Sequence, residues 1–146
     1  MHQINWGIIG SGSIANAFSY SIQAATNSKL TSIFGRNPKK VKAFADKFHI
    51  DAHHQLDDFI SSEEIDAIYV ATPHSEHFFY ALEAIKNGKH VLCEKPFTMN
   101  AYESMILLDL ANAKNIFLME AFMYRTHPQT RNISVSYTHL TLPTML

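Results

Sequence analysis

The chain has 146 residues, 47% of them hydrophobic and 17% charged, with a formal net charge of -1; this is the make-up of one ordinary globular domain and not of a disordered chain. Lys and Arg number 12 against 13 Asp and Glu, so no basic excess points to nucleic acid, and no apolar run approaches the ~20 residues of a membrane span. The single cysteine, Cys93, cannot form an internal disulfide, nothing requires an oxidising compartment, and a cytoplasmic location is expected.

Short runs rich in β-branched and aromatic residues predict strands at Ile4–Ile9, Leu30–Phe34, Ile68–Ala71, His90–Cys93 and Ile116–Met119. Between them the spacing turns helical. Ile14, Phe18 and Ile22 fall on one face of a first helix. Asn37 and Pro38 supply the cap and first position of a second, whose Val41, Phe44, Ala45 and Phe48 follow the i, i+3, i+4, i+7 pattern. Ile50–His53 is a short polar third strand followed by a helical turn through Leu56, Phe59 and Ile60. A further helix starts near Ser75, buries Phe78, Ala81, Leu82 and Ile85 and stops at Gly88; another runs from Asn100 to Lys114, with Asn100 and Glu103 as its capping pair. Strands and helices in steady alternation predict an α/β domain, a doubly wound parallel sheet with helices on both faces.

The chemistry collects where strands end. Gly10-Ser11-Gly12-Ser13-Ile14-Ala15 follows a strand and opens a helix. In that context the first glycine permits the tight turn and the second admits a pyrophosphate. The small third residue packs helix on strand, and the helix N-terminus faces the anion. The pattern predicts Rossmann-type dinucleotide binding, the alternative being a plain strand-to-helix turn. About 24 residues on, where an acid would bind the ribose 2'-hydroxyl of NAD, the chain reads Gly35-Arg36-Asn37. A guanidinium there suits a 2'-phosphate, so NADP is expected over NAD, with Asn37 and Lys40 beside it. The alternative is a solvated surface arginine. Ala71-Thr72-Pro73-His74 lies at the carboxyl edge and reads as a cofactor-facing loop, with His77 one turn on. His74 and His77 lack an evident third ligand and Glu76 points elsewhere on a helix, so no metal site is expected. Glu94-Lys95-Pro96 ends the fifth strand. A lysine held at the mouth of the sheet can donate to a substrate hydroxyl or, if desolvated, help remove its proton. Cys93 reads as a small buried hydrophobe.

Taken together, Gly10–Ala15, Ala71-Thr72-Pro73 and Glu94-Lys95-Pro96 resemble the glucose-fructose oxidoreductase and inositol dehydrogenase (Gfo/Idh/MocA) family over about Gln3–Arg131. The run Met119-Glu120-Ala121-Phe122-Met123-Tyr124-Arg125-Thr126-His127-Pro128 is similar to members that oxidise dihydrodiols and xylose. The resemblance implies hydride transfer between nicotinamide and a sugar, polyol or diol carbon, with Lys95 beside both as the catalytic residue and a cis peptide before Pro96. Glu94 and Arg125 are then expected on the cofactor side, and the full-length parent is expected to be a homo-oligomer. Members continue into a second, substrate-covering domain, and that domain is expected to be largely missing here. Residues 1–131 are expected to form the dinucleotide-binding domain. The Ser- and Thr-rich stretch 132–146 reads as a non-native or truncated tail, the alternative being a native C-terminal strand. Two rival functions remain: a cofactor-binding sensor without catalysis, and a methyltransferase, which would favour an acid where Arg36 stands.

Overall fold

The computed structural model describes residues 3–130, which leaves the expected tail at 132–146 outside the described residues. Six strands, β1 (Ile4–Ile9), β2 (Ser28–Phe34), β3 (Asp51–His53), β4 (Ala67–Val70), β5 (His90–Cys93) and β6 (Leu118–Glu120), pair in the order β3-β2-β1-β4-β5-β6. Every pairing is parallel. The helices are α1 (Ser13–Ala24), α2 (Pro38–Phe48), α3 (Leu56–Ser61), α4 (His77–Lys86), α5 (Ala101–Ala113) and the short α6 (Met123–Thr126). The expected doubly wound Rossmann sheet is therefore present, and its direction of winding reverses between β1 and β4.

Side chains alternate across a strand, and here they divide the core in two. Ile9, Phe34, Ile68, Val70 and Val91 meet Phe59, Ala81, Ile85 and Leu107 on one face. Ile8, Ile33 and Tyr69 meet Ala15, Ile22, Val41 and Phe44 on the other. The α2 start matches its sequence signature, since Asn37 Oδ1 accepts from the Lys40 amide at 3.1 Å. The α5 cap differs in one detail. Asn100 Oδ1 accepts from the Glu103 amide, while Glu103 returns to the amide of Met99, one residue further out than a capping box requires.

Two boundaries move for physical reasons. The helix expected from Ser75 begins at His77, because His74–Glu76 winds first as a 3-10 turn closed by the Glu76 amide on the Pro73 carbonyl at 2.9 Å. The last strand begins at Leu118 instead of Ile116, because Asn115 takes a left-handed φ of 56° and the Ile116 amide turns back to the Ala111 carbonyl of α5. Among the described residues no helix is long and apolar enough to cross a membrane.

Candidate functional site

In an open parallel sheet, ligands bind beyond the carboxyl ends of the strands, at the point where winding reverses. Here that point lies between the loop after β1 and the loop after β4. Gly10 adopts φ +107°, and a Cβ on it would stand 2.5 Å from the Ala71 carbonyl oxygen. Only a glycine lets these two loops pack together. Gly12 is different: its φ is -78° and a Cβ there would meet nothing within 4 Å. Neither backbone nor packing within the chain demands glycine at position 12. Its missing side chain leaves open space directly before α1, where the amides of the first turn, Ser13 and Ile14 among them, have no partner within the helix. Gly12 makes no side-chain cap and the first turn carries no acid.

A cleft of about 270 Å³ runs along this edge, lined by Gly10, Ser11, Gly12, Gly35, Arg36, Asn37, Lys40, Ala71, Thr72, Pro73, Glu76 and Tyr80. The glycine loop, the end of β2 and the loop after β4 thus share one cavity. Asn37 lines it but spends its side-chain oxygen on the α2 cap. Arg36 does not stand alone: its Nη2 is 2.7 Å from Glu76 Oε1, with the Arg36 side chain 70% exposed and that of Glu76 21%. Glu76 was expected to point away. The 3-10 turn breaks the helical phase between it and α4, and so carries its carboxylate back over the cleft. Burial, and then Glu76, raise the Tyr80 hydroxyl above the ordinary tyrosine value, partly offset by Arg36.

A second cleft of about 290 Å³ adjoins the first through Thr72 and is lined by Ile14, Thr72, His74, Glu94, Lys95 and Met123. The Lys95–Pro96 bond is cis, as the resemblance implied. Lys95 itself is exposed where it lines this cleft, so the desolvation that would favour proton removal is not present. Glu94 is 8% exposed and anchored twice: Tyr69 donates its hydroxyl to Oε1, and the Lys95 amide donates to Oε2 at 3.1 Å. Burial and this bond push the Tyr69 hydroxyl far above the ordinary range, so it stays a donor. Behind it, burial and then Glu120 and Glu94 push the Cys93 thiol up to about 12, in keeping with an inert buried hydrophobe.

Two candidates depart from the expectation. His77 is fully buried, its Nδ1 lying 2.8 Å from the Pro96 carbonyl and its Nε2 2.9 Å from the Thr72 carbonyl. With both ring nitrogens bound to backbone it braces two loops and does not face the cleft. Arg125 is exposed on α6 and lines neither cleft. Among the described residues, no group of three His, Cys, Asp or Glu side chains is placed to hold a metal ion. Tyr69 and Tyr80, which nothing in the sequence marks, belong to the site, and so does Glu76, which helical spacing turned elsewhere. Only Glu76 carried a signal, an acid two residues after His74 in a loop already assigned to the carboxyl edge.

Residues 4–122 match the Gfo/Idh/MocA family model, described as an oxidoreductase family with an NAD-binding Rossmann fold. The chain belongs to this family. It is 36% identical over 126 residues to a trans-1,2-dihydrobenzene-1,2-diol dehydrogenase of Xenopus tropicalis, covering 84% of this chain and 38% of that protein. It is 31% identical over 140 residues to an NADP(+)-named D-xylose 1-dehydrogenase of Hypocrea jecorina, covering 87% of this chain and 36% of that one. The crystal structure of a 3-ketoreductase from Actinomadura kijaniata, in complex with NADP and TDP-benzene, superposes with a TM-score of 0.87 at 29% identity, covering 94% of this chain and 42% of that one. The chain therefore spans well under half the length of these relatives.

The family implies a nicotinamide dinucleotide, and two features of the site fit one. Gly12 lines the first cleft, and a Cβ on it would stand in open space that the chain itself does not use. The Thr72 hydroxyl, buried where the two clefts join, has no hydrogen-bond partner among the described residues.

Proposed function

We propose that this chain is the cofactor-binding half of an oxidoreductase, binding NADP in preference to NAD across the carboxyl edge and acting on a hydroxyl of a sugar, polyol or diol. The carrying observation is the run of groups along one edge: Arg36 beyond β2, the open Gly12 cradle beyond β1, the unpartnered Thr72 hydroxyl beyond β4, and Lys95 beyond β5. Gly10, Ser11 and Gly12, with the amides of Ser13 and Ile14, would hold the pyrophosphate. Arg36 and Lys40 would meet a 2'-phosphate at one end, and Ala71, Thr72, Pro73, His74, Glu94 and Lys95 would flank the nicotinamide end. The dinucleotide supplies the nicotinamide carbon that takes or gives the hydride.

Lys95 lines the second cleft, where its ammonium would donate to the substrate hydroxyl and assist movement of its proton. Glu94, fixed by Tyr69 and by the Lys95 amide, holds the lysine's own backbone in place. The substrate class is supported by the dihydrodiol and xylose dehydrogenases among the relatives. Hydride transfer needs substrate clamped against the ring, an alignment worth ~7 to 11 kcal/mol. Residues 3–130 supply one wall of that clamp, so by themselves they should bind cofactor yet turn over nothing. Calorimetric titration with NADP+ and NAD+, paired with an assay on sugars and diols, tests this. Binding of both, tighter for NADP+ and without turnover, is expected. Failure to bind either dinucleotide would overturn the cofactor site, and robust turnover by the isolated chain would overturn the half-site reading.

A further inference from the structure

The cleft places an acid where a phosphate is to bind. Arg36 and Lys40 come from the β2 side and Glu76 from the β4 side, and Glu76 engages the guanidinium through Nη2 at 2.7 Å over the same cavity. Among the described residues no structural role claims the Glu76 carboxylate besides this pair. Its backbone amide closes the 3-10 turn whatever the side chain, and its carboxylate, only 21% exposed, makes its ion pair with Arg36 and not with a surface lysine.

We infer that Glu76 is a cofactor-selectivity residue that narrows the preference for NADP over NAD by holding Arg36 and placing a second negative charge beside the 2'-phosphate position. The inference rests on the cofactor site proposed above. Three physical steps carry it. A 2'-phosphate brings close to two negative charges, so it must share or displace the carboxylate on Arg36 and is repelled by that carboxylate in either arrangement. A ribose 2'-hydroxyl brings no charge. It can donate to a carboxylate, the interaction that an acid after the second strand ordinarily provides. In this chain that position holds Arg36, and the acid arrives from the opposite wall of the cleft. The guanidinium thus favours one cofactor and the carboxylate the other, within one ion pair.

The test compares NADP+ and NAD+ affinities of the wild-type chain and Glu76→Gln by titration calorimetry at low ionic strength, with Glu76→Ala as the second variant should the amide disturb the turn. The pair is only partly exposed, its release is worth up to about 5-fold in affinity, and relief of repulsion adds to that. NADP+ should therefore bind about 3- to 10-fold tighter to the variant. NAD+ affinity should stay level or fall, so the selectivity ratio rises. Added salt should shrink the effect. An unchanged ratio, or weaker NADP+ binding because Glu76 serves to orient Arg36, would overturn the inference while leaving the cofactor site standing. A wild-type chain that binds neither dinucleotide would remove the cofactor site and this inference with it.

Discussion

Two glycines two residues apart should fail in opposite ways when replaced by alanine. At Gly10 the new methyl group would stand 2.5 Å from the Ala71 oxygen and 2.9 Å from its carbonyl carbon, on a residue with φ +107°. Backbone strain of that kind costs about 1 to 3 kcal/mol, and forcing an extra carbon into packed backbone costs a similar amount. The expected destabilisation for Gly10→Ala is about 2 to 6 kcal/mol, which at roughly 4 °C per kcal/mol for a domain of this size lowers Tm by about 8 to 24 °C. At Gly12 the methyl group meets open space at an ordinary φ. Only the loss of a favourable N-cap residue remains, within about 1 kcal/mol. Gly12→Ala should melt within a few degrees of wild type but lose dinucleotide affinity, and Gly12→Leu should lose nearly all of it. Thermal melts by circular dichroism, paired with calorimetric titration on the same samples, read both effects. Equal melting of the two alanine variants would refute the packing argument. Unimpaired binding by Gly12→Leu would refute the cradle.

Arg36→Ala should weaken NADP+ binding while leaving NAD+ nearly unchanged. A charge-assisted hydrogen bond contributes about 1.5 to 3 kcal/mol, and release of the exposed Glu76 pair returns up to about 1 kcal/mol of that. The net loss of about 0.5 to 3 kcal/mol corresponds to roughly 2- to 150-fold weaker binding by titration. In a longer protein carrying a substrate domain, Lys95→Ala should lower turnover ~10² to 10⁴-fold with little change in cofactor Kd, which steady-state kinetics and equilibrium binding separate. Cys93, with its thiol pushed up to about 12, carries a thiolate fraction of about one in ten thousand at pH 8 and should resist maleimide until the chain unfolds. The unfolded thiol ionises near its ordinary value of 9.0, so the stability this buried group confers is full below that pH and declines as pH rises from there toward 12. Fast labelling of the native chain would contradict its burial.

Local signals made much of this structure legible. The Asn37 cap, the Pro38 start and the Val41, Phe44, Ala45 and Phe48 face of α2 act within a few residues of one another, and all are present as read. Gly10 and Gly12 were legible as a pair, although only coordinates separate a glycine required by neighbouring backbone from one required by open space. What stayed hidden depends on partners distant in sequence or on a change of helical phase. Tyr69 and Glu94 lie 25 residues apart, and His77 reaches Pro96 across 19. Glu76 was misdirected because helical periodicity was extended backward through a segment that winds as a tighter 3-10 turn.

The buried ring of His77 acts as a strut of fixed length. It is rooted at the first residue of α4 and its two ends press on the carbonyls of Thr72 and Pro96. Thr72 borders both clefts, and Pro96 is covalently joined to Lys95. The spacing between the loop after β4 and the lysine after β5 is therefore set by one rigid aromatic ring and not by two pliable loops. A change that tilts α4, even from its far side, would move both loops together as one lever, and the position of Lys95 relative to the first cleft would be inherited from the seating of that helix.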